Sequence, residues 1–184
     1  CLVIYGINGR SDVVKDALNH LRSTIPTIIQ IQETIHSHAA VMADPTQIHQ
    51  VIMNLCTNAA HAMEKDGGTL KIILEDEQLS PAFADQFPDL DPGVYSTLAI
   101  EDTGVGMSAD VLESIFDPYF TTKEVGKGTG FGLALVHAIV EGHSGYIKAD
   151  STPGQGSNFY VYLPMIVKKI ETITPEISKG RIAV

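Results

Sequence analysis

Hydrophobic and polar positions along the chain fall into two rhythms, one helical and one alternating, and their order predicts the elements. Over residues 12–22, Val13, Val14, Ala17, Leu18 and Leu21 share one stripe at helical spacing. Pro26 interrupts, and residues 27–35 then alternate, Ile29 and Ile31 against Gln30 and Gln32, as a strand does. Residues 41–43 are expected as a short strand closed by Asp44 and Pro45. The strongest helical pattern covers 46–64, with Ile48, Val51, Ile52, Leu55, Ala59 and Ala62 on one face. Lys65-Asp66-Gly67-Gly68 ends it and turns into a strand over 69–74. The acidic stretch 75–92, with Pro81, Pro88 and Pro92, reads as a loop. Residues 94–101 form the next expected strand, with Val94, Leu98 and Ile100 on one side. Ser108 is placed to cap a short helix ending near Ile115. A glycine-rich stretch over 126–132 precedes an apolar helix over 133–141, stopped by Gly142, and two strands, 145–150 and 157–163, close the pattern. Helices and strands do not alternate regularly, so the fold class is an α/β (α+β) two-layer sandwich with a mixed sheet.

Length and composition fit this. The 184 residues suit one domain with tails, and 44% hydrophobic with 18% charged residues is the balance of a globular chain that can bury a core. The formal net charge of −10 argues against a nucleic-acid or anionic-membrane surface, either of which needs a basic face. A polyanionic ligand would have to be held by local donors against the overall field. Cys1 and Cys56 make no disulfide framework; Cys56 falls in an apolar helical pattern, where a reduced thiol is a small hydrophobe, and this suits a cytoplasmic domain. No apolar run has the length of a membrane span and no signal peptide is visible. The first residue is not Met, so the chain is expected to be excised from a longer protein, whose membrane anchoring is left open.

Three stretches carry chemistry. On the long helix Asn54, Asn58 and His61 fall on one face, opposite the apolar stripe. Amide oxygens suit Mg2+, a hard cation that keeps several waters, and His61 can donate to a phosphate; a solvated polar face is the plainer reading. Asp102-Thr103-Gly104-Val105-Gly106-Met107 follows a strand, and alternation points Asp102 to the side of Leu98 and Ile100. A carboxylate there is costly unless a donor meets it, for which an exocyclic amine on a ligand would serve, although an Asp-Thr-Gly turn closing a strand explains the same residues. The run from Gly104 to Ala109 also satisfies the loose G-x-G-x-x-G/A dinucleotide pattern, but that pattern needs a parallel βαβ unit with an acidic residue ending the next strand, and the distance lands in Thr121-Thr122-Lys123-Glu124, beside a glycine-rich loop. The third stretch, Gly126-Lys127-Gly128-Thr129-Gly130-Phe131-Gly132-Leu133, opens a helix. Free backbone N–H groups and a helix N-terminus make a phosphate cradle, to which Lys123 or Lys127 adds charge; it is not a G-x-x-x-x-G-K-[ST] loop, and a flexible linker is the alternative. Phe116-Asp117-Pro118-Tyr119-Phe120 just before it is either a hydrophobic hinge or ordinary core under a loop. Residues 122–131 are expected to be a lid ordered by a γ-phosphate. His20, His36, His38, His49, His137 and His143 read as surface or satisfied core residues.

Taken in order, these stretches resemble the boxes of the Bergerat-type ATP-binding catalytic domain of sensor histidine kinases. The helix with Asn54 and Asn58 is similar to the N box, 102–106 to the first glycine box, 116–120 to the F box and 128–133 to the second glycine box. Gly154-Gln155-Gly156-Ser157-Asn158-Phe159 is similar to the last, with Ser157 where threonine is common. The match covers about residues 12–164, and several boxes in order are far more specific than any one. The resemblance implies a mostly antiparallel mixed sheet covered on one face by helices, with ATP and Mg2+ as cofactors. It implies that Asn58 ligates Mg2+, Asn54 supports the metal and phosphates, His61 contacts phosphate and Asp102 accepts from the adenine amine. Gly104, Gly106, Met107, Phe120, Lys123, Gly128, Thr129, Gly130, Phe131, Gly132, Leu133 and Ser157 complete the expected nucleotide contacts.

DNA gyrase and MutL-like ATPases share this fold but carry a glutamate one helical turn before the metal asparagine, where this chain has Asn54. An amide cannot act as a general base, so the resemblance favours a protein-histidine kinase over a hydrolytic switch or an inactive nucleotide-sensing module. No histidine here is followed by Glu or Asp, so the phospho-acceptor is expected on a separate dimerisation domain, and self-labelling by this chain is not expected. Residues 1–10 are expected to be the end of that domain's helical hairpin, residues 11–165 the catalytic domain, and 166–184 a linker with the possible start of a receiver domain. The expected partners are that dimerisation domain and a response-regulator receiver, with a monomeric fragment and a homodimeric parent.

Overall fold

A computed structural model describes residues 3–4, 10–37, 40–87, 90–122 and 130–166. In chain order these form β1 (Val3–Ile4), α1 (Arg10–Thr24), β2 (Ile29–Ile35), β3 (Val41–Met42), α2 (Pro45–Ala62), β4 (Gly68–Leu79) and α3 (Pro81–Ala84). They continue with β5 (Gly93–Asp102), α4 (Ala109–Ser114), α5 (Gly132–Gly142), β6 (Tyr146–Thr152) and β7 (Gly156–Pro164). Five strands make one sheet in the order β2-β4-β5-β7-β6, and β1 pairs with β3 beside it. Only β2 runs parallel to its neighbour β4; the β4–β5, β5–β7 and β6–β7 pairs are antiparallel, as expected of a mixed, mostly antiparallel sheet.

The apolar stripes of the sequence meet on one face of that sheet. Val14, Ala17, Leu18 and Leu21 of α1, Ile48, Val51, Ile52, Leu55 and Ala59 of α2, and Val136, Ile139 and Val140 of α5 form one core with Leu70, Ile72, Leu98, Ile100, Phe159 and Val161. Burying each large aliphatic side chain contributes roughly 1.5–3 kcal/mol, which decides which way each helix faces. Cys56 is fully buried in this core, and burial pushes its thiol up to about 12, so it stays a neutral hydrophobe.

Two local devices hold α2 in place. The Asp44 side chain accepts from the N–H groups of Thr46 and Gln47, capping the helix with Pro45 in its first turn. At the same end the N–H of Asp44 donates to His143 Nε2 at 3.0 Å, while His143 Nδ1 contacts the Ile139 carbonyl at 2.7 Å. Together these contacts fix a ring that donates from Nδ1 and ties the C-terminus of α5 to the start of α2.

The structure departs from the sequence reading in three places. Residues 75–92 are not a loop throughout: β4 runs on to Leu79 beside β5, and α3 follows, capped by Ser80. Its side chains from Glu75 to Gln78 are all exposed, so this half of the strand lacks the apolar alternation that marked the first half. Beyond it Leu79, Leu90, Tyr95 and Tyr162 form a second small cluster, with Phe83 and Phe87 packed on it. Ser108 takes the N-cap position of α4, but its side chain makes no capping hydrogen bond. Val3–Ile4, expected as the end of a helix, instead pair antiparallel with Val41 and Met42, as β-branched residues beside a free strand edge do.

Candidate functional site

The rows of side chains across the helix-covered face of the sheet end in polar residues. Ala149, Phe159, Ile100 and Ile72 stand opposite one another across β6, β7, β5 and β4, and form one core row. Two residues along in the register, the facing set is Ser151, Ser157, Asp102 and Leu70. Asp102 is only 6% exposed there, on the core side as alternation predicts. Gly104 donates its N–H to Asp102 Oδ1 at 2.8 Å, and the backbone of Ser157 also hydrogen-bonds this carboxylate. Burial nevertheless pushes the carboxyl above its ordinary value, and those two N–H groups pull it only part of the way back. A third donor would complete it.

The loop after Asp102 is pinned on both sides. Thr103 donates its N–H to the Thr69 carbonyl at 3.2 Å, and its hydroxyl accepts from Thr69 N–H at 2.9 Å. Val105 N–H donates to the Ala62 carbonyl at 3.1 Å, docking the loop on the end of α2. On the other side Gly154 N–H reaches the Val105 carbonyl at 2.7 Å, and Met107 N–H reaches Ser151 Oγ at 2.8 Å. Two glycines permit this approach: a Cβ on Gly106 (φ +65°) would stand 2.0 Å from the Thr152 carbonyl oxygen, and one on Gly156 (φ +96°) 1.8 Å from that of Asp102.

Asn54, Asn58 and His61 lie on α2, whose C-terminal end meets this loop; both asparagines are half-buried and His61 is exposed. A Cβ on Gly132 would stand 3.6 Å from Asn54 Oδ1, so Asn54 faces the first turn of α5. That turn presents backbone N–H groups and the positive end of the helix dipole beside an amide oxygen, a donor set that fits phosphate and a hard cation together. Leu133, Met107 and Phe120 pack against the main core, as does Phe116. Tyr119 N–H donates to the Gly130 carbonyl at 3.1 Å, and its ring meets Phe131 edge-on at 4.5 Å, so the chain is clasped on both sides of the expected lid. Lys123, Gly128 and Thr129, with the rest of the lid between 123 and 129, lie outside the described residues. The described candidates therefore assemble from α2, the Asp102 loop, the start of α5 and Ser157. The sequence reading missed Thr103 and Ser151, hydroxyls whose partners are distant backbone or side-chain atoms and which leave no periodic signal.

The model of the histidine kinase-, DNA gyrase B- and HSP90-like ATPases matches residues 43–167, which takes in every one of these positions. The chain belongs to this family. Within it, the chain is an ATP-binding catalytic domain of the histidine-kinase kind. It is 43% identical over 129 residues to the sensor kinase CckA of Brucella abortus, covering 70% of this chain and 14% of that protein. It is 39% identical over 127 residues to the sensor histidine kinase ZraS of Klebsiella oxytoca, covering 68% of this chain and 23% of that one. The chain thus spans less than a quarter of these curated relatives. The solved catalytic domain of histidine kinase ThkA superposes with a TM-score of 0.67 at 25% identity, covering 90% of this chain and 99% of that one. The mycobacterial sensor histidine kinase MprB has the same fold, with a TM-score of 0.67 over 85% of this chain and 94% of that one. Among the described residues of this kinase-type domain, no helix is long and apolar enough to cross a membrane.

Proposed function

We propose that this domain binds Mg-ATP and donates the γ-phosphate to a histidine on a separate dimerisation domain, within two-component signalling. In this reading Asn58 ligates Mg2+, Asn54 steadies the metal and phosphates, and His61 contacts phosphate. Asp102 accepts from the adenine 6-amino group. Gly104, Gly106 and Met107 lie along the base and sugar, and Ser157 stands beside Asp102. Gly130, Phe131, Gly132 and Leu133, with Phe120, border the phosphates, joined by Lys123, Gly128 and Thr129 from the lid. Mg2+, when bound, neutralises charge on the phosphates; the protein's own part is to orient them and to keep water from being activated.

The observation that carries the choice of transfer over hydrolysis is Asn54. It stands one helical turn before Asn58 and faces the start of α5. An amide there has no basic lone pair to take a proton from water, so the phosphoryl group is kept for an acceptor brought from outside. Residues 166–184 are read as a linker towards a receiver domain, with a homodimeric parent, cytoplasmic in this part.

A nucleotide titration run beside a phosphate-release assay tests this. The expected result is saturable binding of ATP in Mg2+ with phosphate release at the level of the protein-free control. Rapid release would assign the chain to hydrolytic switching, and no binding would make it an inactive module.

A further inference from the structure

The loop that follows Asp102 and the strand that carries Ser157 are separate pieces of chain, and one side chain joins them. Ser151 lies on β6, directly opposite Ser157 in the register, which in turn stands opposite Asp102. Its hydroxyl donates to the Gly156 carbonyl at 2.8 Å, accepts from Met107 N–H at 2.8 Å and lies 3.1 Å from Ser157 Oγ. A hydroxyl has one hydrogen and two lone pairs, so with its hydrogen on Gly156 it accepts from both Met107 and Ser157 and is fully used. The Ser157 hydroxyl is thereby turned with its hydrogen towards Ser151 and its lone pairs away from it.

We infer that Ser151 is a positioning residue for purine recognition: its hydroxyl holds the far end of the Gly104–Met107 loop against the β6–β7 hairpin and so fixes the two backbone donors that aim the Asp102 carboxylate. Those donors come from opposite sides of this joint. Gly104 belongs to the loop and Ser157 to the hairpin, and each contributes one N–H to the same carboxylate. Among the described residues, loop and hairpin are also joined by Gly154 N–H donating to the Val105 carbonyl at 2.7 Å, a bond in which both groups are backbone. Without the Ser151 hydroxyl, Met107 N–H loses its acceptor, Ser157 Oγ its anchor, and the loop can shift along the hairpin within the close glycine contacts. A carboxylate aimed loosely still carries its charge, but it no longer separates a ligand with an amine at that point from one without.

This inference rests on the reading that Asp102 meets the adenine amine, and the experiment separates the two. The chain is titrated with ATP and with purine ribonucleoside triphosphate, which lacks the 6-amino group. The parent is expected to prefer ATP by tenfold or more, because a hydrogen bond to a charged group is worth about 1.5–3 kcal/mol. Ser151→Ala is expected to weaken ATP by about tenfold and the analogue far less, so that the preference falls towards one, and Ser151→Thr, which keeps the hydroxyl, restores it. A purely structural role would weaken both nucleotides by the same factor and lower the melting temperature with the preference intact. That outcome, or a Ser151→Thr variant as unselective as Ser151→Ala, overturns the inference alone. A parent that binds both nucleotides equally overturns the Asp102 reading, and the inference with it. Should Ser151→Ala not fold, Ser151→Cys carries the comparison: it is close in size but a weak donor and acceptor, and its preference should fall between those of parent and alanine.

Discussion

In the role proposed for it, Asp102 pulls folding and binding in opposite directions. Its carboxyl is raised in the folded chain, chiefly by burial. A group whose folded pKa lies above its unfolded one adds stability only where it is protonated, below the ordinary carboxylate range, and that stability is lost as pH rises through the raised value. Ionised Asp102 therefore weakens the nucleotide-free domain at neutral pH, and an amine donor relieves that strain. Asp102→Asn should weaken ATP by roughly ten- to a hundredfold, the worth of a charge-assisted hydrogen bond. In nucleotide-free melts the difference in Tm, variant minus parent, should be larger at about pH 7 than at about pH 4, since only the parent gains as its carboxyl protonates. A difference independent of pH would show that the carboxyl titrates as an exposed one. Asn58 should act through the ion: Asn58→Ala should cut ATP affinity in Mg2+ by about tenfold or more, and in chelator by much less, because the group lost is the proposed metal ligand. The same fold loss in both buffers would assign Asn58 a packing role. Both residues were legible in the sequence: Asp102 sets a carboxylate on the apolar side of its strand, and Asn58 shares one helix face with Asn54 and His61. Ser151 was not, since a serine on a strand breaks no pattern and its partner Met107 N–H lies 44 positions away.

At the level of elements, the β6–β7 hairpin is as much part of the site as the strand that carries Asp102. Gly154 and Gly156 both hold positive φ, +77° and +96°, but they differ in surroundings. A Cβ on Gly154 meets nothing within 4 Å, whereas one on Gly156 runs into the backbone of Asp102 and Thr103. Gly154→Ala carries only the left-handed strain of about 1 kcal/mol, while Gly156→Ala must also push the hairpin off β5 and should cost roughly 2–3 kcal/mol or more. Thermal melts of the two variants check this, and equal losses would mean that the hairpin yields without cost. Sequence glycines thus gave the boxes but not their ranking, which depends on what each one touches. The same limit explains β4. Up to Leu74 the strand is covered by helices and alternates; beyond it, four exposed residues pair with β5 outside the core, and hydrogen bonding alone leaves no hydrophobic trace. The three long helices, α1, α2 and α5, were read almost to their ends, because burial against one shared core dictates a stripe on each.

For the molecule as a whole, the acidic balance and the site pose one problem together. A net charge of −10 repels a nucleotide polyanion, so binding has to come from local donors, for which the proposed ones are the start of α5, the amides of α2 and a divalent cation. Such a site can hold a triphosphate in place, but transfer also requires a nucleophile in line with the γ-phosphate, and phosphoryl transfer depends almost wholly on that placement. None of the seven histidines is followed by an acidic residue. Of those in the described residues, His143 has both ring nitrogens engaged between α5 and Asp44, and His137 lies against Phe116 and Glu141. His61 sits on the same helix as the proposed metal ligand, one turn beyond it, and the role proposed for it is to contact phosphate rather than to attack it. Incubation of the 184-residue chain with γ-labelled ATP and Mg2+ should therefore leave no acid-labile, base-stable phosphate on it. Adding a dimerisation hairpin with a His-Glu or His-Asp pair, in the same chain or in trans at high concentration, should produce one on the hairpin. The label should vanish with Asn58→Ala and survive any change at His143 that keeps the domain folded. Label on the isolated chain would mean that a nucleophile is already positioned inside this domain, and the proposed division between a domain that holds ATP and one that presents the acceptor would be wrong.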